Sequence, residues 1–150
     1  MRHIPNEEDG KQALRGHVCD KAAAAYAKYG PSIDWDTFQR MLDDPLVVRY
    51  PTTIVFDSQP LEPGEFAFVQ PRGGQPAEGF QLFIHPHFRD RSDALPLLIA
   101  YHLVRVNYGE IATHEEAELF GATLLGLEVD AYYQSVCRLA DELLPSEPRP

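Results

Sequence analysis

The chain has 150 residues, of which 44% are apolar, and its formal net charge is −10 with an isoelectric point near 4.9. This length and apolar content predict a single domain with one hydrophobic core. The acidic balance argues against nucleic acid or an anionic membrane surface as a partner, because both are bound by basic patches. No apolar run reaches the ~20 residues of a membrane span, and no apolar leader precedes the first charged residues, so we expect a cytoplasmic protein.

The first third of the chain has helical periodicity. Residues 1–10 are polar and end in a glycine, so we expect a flexible arm there. Apolar side chains at helical spacing then predict a helix over 11–29. A short second helix is predicted over 35–42, with Asp34 as its N-cap.

The segment from Leu46 to Pro86 differs in amino-acid composition from the rest of the chain. It contains the runs LVVRY, TTIVF, EFAFVQP and FQLFIHP, which are rich in β-branched and aromatic residues and separated by proline and glycine. These runs predict a small sheet of three or four strands. The intervening LEPGE and PRGGQPAEG are typical of turns, so we expect mainly antiparallel pairing.

Three helices are predicted in the last part of the chain, over 93–108, 114–125 and 129–144. A capping box formed by Thr113 and Glu116 indicates where the middle one begins. The order of two helices, a small sheet and three helices predicts an α+β fold.

The predicted domain covers residues 11–144, and residues 145–150, PSEPRP, are predicted to be disordered. The charge is uneven along it, since the stretch from Glu110 to Pro150 has nine acidic and two basic residues. One hypothesis is therefore a structural subunit whose acidic C-terminal helices dock a basic partner.

The motifs YHLVR, at residues 101–105, and EEAELFGATLL lie on two consecutive predicted helices. With the preceding sheet they resemble, over about residues 46–125, the minimal gluzincin-type zinc metallopeptidases, and the second motif is similar to the signature of the ImmA/IrrE-like branch. The core helix of that family reads like HELVH, in which two histidines bind zinc and the glutamate activates water. Laid over that motif, Tyr101 and Arg105 replace the two histidines and His102 replaces the glutamate. Glu116 alone keeps the expected residue type.

The resemblance implies a zincin-like fold whose metal site has degenerated. Tyrosine and arginine are poor zinc ligands, and arginine stays protonated. A register that puts His102 on the first histidine puts Val106 on the second, so two ligand positions fail either way. We therefore expect a metal-free, non-catalytic binding or scaffold protein, with peptide or protein binding at the sheet edge as its residual activity.

Arginine can occupy the space of a cation, which leads to a specific structural hypothesis. We expect Arg105 to form a buried ion pair with Glu116, so that Arg105→Ala would be strongly destabilising. A simpler interpretation is that the stem of Arg105 is buried while its head reaches solvent, and that His102 is a histidine satisfied within the core.

An alternative hypothesis is an active metal-dependent hydrolase with relocated ligands. His85 and His87 in FIHPHF are two residues apart, and with His102 and Glu116 they would supply ligand types that suit zinc. The pair is short, however, and Pro86 interrupts a strand there, which also fits a plain loop. The sequence does not choose an oligomeric state, a substrate or a ligand.

Overall fold

The computed structural model of the protein describes residues 7–144. Within this range the chain forms five α-helices and one three-stranded sheet, and the α+β prediction is confirmed. The helices are α1 (Glu7–Tyr29), α2 (Trp35–Leu42), α3 (Leu95–Tyr108), α4 (His114–Leu125) and α5 (Val129–Asp141). The strands are β1 (Thr52–Phe56), β2 (Ala67–Pro71) and β3 (Phe80–Ile84).

The first helix is longer than predicted. It begins at Glu7 rather than at residue 11, so residues 7–10 of the predicted flexible arm are helical. Three consecutive acids in its first turn favour this extension, because negative side chains stabilise the positive end of the helix dipole. Residues 1–6 of the predicted arm and all of the predicted tail, 145–150, lie outside the described residues.

The run LVVRY is not a strand, contrary to prediction. It forms a turn in which Val47 and Val48 are buried. The side chain of Asn107 on α3 supplies the hydrogen bonds that a neighbouring strand would otherwise provide. Its Oδ1 accepts from the backbone N–H of Arg49 at 2.7 Å, and its Nδ2 donates to the carbonyl oxygen of Val47 at 2.9 Å. The turn is thereby attached to the core helix.

The sheet is mixed, with the strand order β1-β3-β2. β2 and β3 pair antiparallel across the predicted PRGGQPAEG turn, whereas β1 and β3 pair parallel. The expectation of mainly antiparallel pairing is therefore met by only one of the two ladders. LEPGE does not close a hairpin, because β1 and β2 are not neighbours. β2 thus becomes an edge strand of the described sheet.

The C-terminal helices follow their predicted positions closely. α4 has the predicted bounds, and Thr113 caps it by accepting from the N–H of Glu115 at 3.3 Å. α3 begins two residues later than predicted, because the carboxylate of Asp93 pairs with Arg91 instead of capping the helix. α5 ends at Asp141 rather than at residue 144.

Helix α3 is at the centre of the core. It packs against β2 and α4, and α4 in turn packs against α1 and α5. The largest fully buried side chains come from several elements, namely Tyr132, Phe38, Phe88, Phe120 and Met41. In the part of the chain that the structure describes, every buried side-chain nitrogen and oxygen has a hydrogen-bond partner. No helix in residues 7–144 combines the length and apolar character that crossing a bilayer requires.

Candidate functional site

The side of α3 that faces β2 carries the three residues singled out in YHLVR. The rings of Tyr101 and His102 lie edge-on to Phe66, with centroid separations of 6.3 Å and 5.2 Å. Phe66 immediately precedes β2, and Arg105 lies one turn further along α3 beside the strand itself. Helical spacing places residues 101 and 105 on one face, as the sequence predicts. The candidate site is thus the boundary between α3 and the edge strand.

His102 is held as a neutral, partly buried ring. Its Nδ1 donates to the carbonyl oxygen of Leu98 at 3.2 Å, one turn earlier on α3. Burial and, to a smaller extent, the positive charge of Arg105 lower the pKa of His102 to about 4, while hydrogen bonds to the backbone of Leu98 and Ala67 oppose the shift. At neutral pH the ring is uncharged and satisfied within the fold, as the simpler interpretation predicts.

Arg105 is exposed, and within residues 7–144 its guanidinium takes part in no hydrogen bond or ion pair. The predicted buried ion pair with Glu116 is therefore wrong. Glu116 is 3% exposed, but its Oε2 accepts from the hydroxyl of Thr113 at 2.7 Å. The carboxylate belongs to the cap of its own helix, while the arginine extends from α3 toward solvent.

The acid whose charge acts on Tyr101 is Glu118 rather than Glu116. Its negative charge raises the pKa of Tyr101, secondary to the effect of burial, and it acts in the same way on Tyr132. Two residues on an α-helix are about 200° apart, so Glu116 and Glu118 point in nearly opposite directions. Position 118 was visible in EEAELFG, but the sequence did not show which of its acids would act on Tyr101.

The ligand set of the alternative hydrolase is not assembled. The imidazole of His85 accepts from the backbone N–H of His87 at 3.1 Å, and His87 Nε2 lies 2.8 Å from Oε1 of Glu142. His102 and Glu116 have the separate partners already described. Among residues 7–144 no three histidine, cysteine, aspartate or glutamate side chains are grouped so that they could hold a metal ion. The predicted zinc ligands thus serve as caps, ion-pair partners and core contacts.

Several acids of the C-terminal segment are engaged in ion pairs or hydrogen bonds within the chain. Glu142 pairs with Arg91 through contacts of 2.6 Å and 3.4 Å, and Glu115 pairs with Arg15 on α1. With Glu116 committed to its cap, fewer acids are available to a basic partner than the sequence count implies. Docking of such a partner stays a prediction.

The outer edge of β2 carries the least satisfied backbone of the site. The backbone N–H of His85 donates to the carbonyl oxygen of Phe66 at 2.9 Å, and the N–H of Arg72 donates to the carbonyl oxygen of Gly79 at 3.0 Å, so both residues bond toward β3. Because ladder bonds alternate along an antiparallel strand, Phe68 also bonds toward β3, whereas Ala67 and Val69 direct their N–H and C=O groups to the outer edge. No other strand of the described chain pairs with that edge.

A groove of about 610 Å³ follows this edge. One wall is β2 and the loop after it, and the other is the last two turns of α3 with the residues that follow. Its charged lining residues are Arg105, Glu65 and Glu110. Phe68 also lines the groove and is 40% exposed, which is high for a phenylalanine. Sequence reasoning placed a binding edge somewhere on the sheet, but the register was needed to identify it.

Comparison with known proteins gives no relative from which a function could be transferred. No protein-family model matches the chain, and neither a curated protein nor a solved structure matches it at a significant level. The resemblance to minimal metallopeptidases therefore stays a prediction, and the missing Arg105–Glu116 pair removes the contact that would have linked the two motifs physically.

Proposed function

We propose that this protein is a non-catalytic binding domain that holds an extended polypeptide segment along the outer edge of β2. The single observation that carries the proposal is the unpaired backbone of Val69, which lines a groove whose other wall is α3. An extended chain can add to such an edge through main-chain hydrogen bonds, and the side chains beside the edge then set its preference.

The composition of β2 suits it to pair with a short segment of chain. Val69 offers an outward donor and acceptor, whereas the outward carbonyl of Ala67 interacts with His102. Pro71 ends the strand and has no N–H, but its nitrogen falls on the outer side, so the ladder with β3 loses nothing. Five residues span only about 17 Å. We therefore expect the bound segment to be a few residues long and held with modest affinity.

The sequence resemblance also supports peptide binding at the outer edge of β2. Peptides add to an edge strand beside the core helix in the metallopeptidases that the chain resembles, and β2 has that relation to α3 here. Under the same resemblance, Tyr101 and Arg105 occupy the positions of the zinc-binding histidines, which supports binding without hydrolysis. The degenerate metallopeptidase origin belongs to this proposal and is separate from the edge geometry.

The experiment blocks the outer edge without opening the sheet. Val69→Pro removes the outward N–H, and Val69→Thr is the matched control because it keeps both the N–H and the β-branched shape. Peptides selected from a displayed random dodecapeptide library on the wild-type protein are titrated into all three proteins. We expect binding to fall at least tenfold with Val69→Pro and to stay within about twofold with Val69→Thr.

Hydrogen exchange gives a second readout that does not depend on a substitution. On addition of a selected peptide, the amide of Val69 should exchange more slowly, because it becomes hydrogen-bonded. Selected peptides that bind Val69→Pro as tightly as wild type and leave that amide unprotected would refute the proposal. A library that yields no peptide above the level of an uncoated support would refute it as well. Thermal melts of the variants show whether each retains the fold.

A further inference from the structure

Arg105 is the one cation among the charged lining residues of the groove, and the proposed main-chain pairing does not use it. It is exposed, and its guanidinium has no hydrogen-bond or ion-pair partner within residues 7–144. Five of the seven other arginines in residues 7–144 donate side-chain hydrogen bonds, namely Arg15, Arg40, Arg72, Arg89 and Arg91. In a chain with a net charge of −10, this leaves an unpaired cation beside the outer edge of β2.

The surroundings of Arg105 favour a negative group that comes from outside. A guanidinium presents a planar fork of donors that matches a carboxylate bidentately, and a partly enclosed groove strengthens that contact relative to open water. The neighbouring ring of His102 donates to the carbonyl oxygen of Leu98 and is not negatively charged, so it does not neutralise Arg105. The two acids that line the groove, Glu65 and Glu110, form no ion pair with Arg105.

Those two acids also limit what can bind. Glu65 precedes β2 and Glu110 follows α3, and both bring negative charge to the groove. Both acids repel every carboxylate in the groove, but attraction to Arg105 offsets that repulsion for one carboxylate placed at the guanidinium and not for the further charges of an acidic run. The remaining lining includes Phe68, Val69 and Phe80, which favours apolar neighbours in the bound segment.

Resting on the proposed function, we propose that Arg105 is the specificity determinant of the groove and selects extended apolar segments that carry a single carboxylate. The carboxylate can come from a glutamate or aspartate side chain or from the C-terminus of the bound chain, since the guanidinium recognises the same two oxygens in either case.

The test is a charge-swap cycle on the selected peptides. Each peptide is made with its acidic side chain or with the matching amide, and with a free or an amidated C-terminus. All four forms are titrated into wild type, Arg105→Gln and Arg105→Lys. We expect the wild type to lose about five- to tenfold in affinity when the recognised carboxylate becomes an amide, and Arg105→Gln to bind both forms equally. The arm that shows the loss identifies the source of the carboxylate.

Arg105→Lys separates recognition from a role in stabilising α3. Arg105 lies in the last turn of that helix, where any cation favours the helix dipole. Lysine keeps the charge but not the fork, so it should retain wild-type stability while keeping only part of the discrimination. Equal discrimination by wild type and Arg105→Gln would overturn the inference. If Val69→Pro still abolishes binding in that case, edge binding stands and only the carboxylate assignment falls; if no peptide binds wild type, both fall.

Discussion

The two sides of the last turns of α3 differ in whether their polar side chains have partners within the fold. On the buried side, Asn107 is 3% exposed and makes two hydrogen bonds to the turn at Val47 and Arg49. On the groove side, two residues earlier, Arg105 is exposed and has no hydrogen-bond or ion-pair partner in the described chain. Both are polar residues on one largely apolar helix.

This difference indicates where on the protein an external partner can bind. A buried polar group without a partner is costly, so the fold supplies partners for its interior groups, as it does for Asn107 and for Glu116 through Thr113. Exposed groups carry no such penalty and can remain open. In this protein the open groups, Arg105 and the outer edge of β2, occur together along one groove. That coincidence, rather than either feature alone, supports a binding role.

The sharpest contrast between the two sides is one of stability. Asn107→Leu keeps the branched shape but removes both hydrogen bonds, leaving the N–H of Arg49 and the carbonyl of Val47 unpaired. We expect it to lower the free energy of unfolding by about 3 kcal/mol. Urea denaturation measures the change. Arg105→Gln is the control from the other side and should change stability by less than about 0.5 kcal/mol.

Equal losses from the two substitutions would break the comparison. In particular, a loss of several kcal/mol for Arg105→Gln would restore the structural role that the sequence first suggested for this arginine. A neutral Asn107→Leu would mean that the turn at Val47 is held by its apolar burial alone.

The second prediction concerns the boundary between the two sides, where His102 lies. Because burial lowers the pKa of His102 to about 4, the unfolded chain, in which histidine titrates near pH 6.5, binds more protons between those values. Stability from this group is therefore present above pH 6.5 and is lost as the pH falls toward 4. We expect the wild type to lose about 2 kcal/mol more than His102→Asn between pH 7.5 and pH 4.5.

Denaturation at the two pH values measures that difference, since all other titrating groups are shared by wild type and variant. NMR titration of the imidazole supplies the direct check. A midpoint near pH 6.5 in the folded protein, with parallel pH profiles for the two proteins, would show that the ring is open to water and belongs to the groove rather than to the core.

The smallest change in the free energy of unfolding is expected for a substitution at the start of α4. Thr113→Val removes the hydroxyl that accepts from Glu115 and donates to the buried carboxylate of Glu116. We expect a loss of about 1–2 kcal/mol in thermal or urea unfolding, whereas Thr113→Ser should stay close to wild type because it keeps the hydroxyl. If both variants match wild type, Glu116 is not held by this cap and its partner must be sought elsewhere.

Local sequence patterns predicted the helices well because helix formation depends on near neighbours. The bounds of α4 follow from the capping threonine at position 113 and from Gly126, which takes the left-handed conformation at the other end. The run LVVRY was predicted wrongly for the opposite reason, because its structure depends on a residue distant in sequence. Its β-branched residues are buried as expected of a strand, but Asn107, some sixty residues away, satisfies its backbone and makes a turn sufficient.

In the candidate site, too, local sequence patterns did not predict contacts between distant segments. Residues 101, 102 and 105 were identified from their unusual place on an apolar helix, and they do lie together beside β2. Their surroundings could not be predicted, because EEAELFG offers acids on several helical faces and the packing of α3 against α4 decides which of them acts on α3. The charge that acts on Tyr101 is that of Glu118, whereas Glu116 is buried in the cap of its own helix.

The amino-acid pattern on its own determined the α+β class, the order of the elements, the central place of α3 and its polar positions, since each depends on periodicity, propensity and capping over a few residues. Tertiary structure alone decided that β2 is an edge, that its outward groups border a groove and that Arg105 lies there unpaired. These features depend on strand order and helix packing between distant segments, and no local preference encodes them.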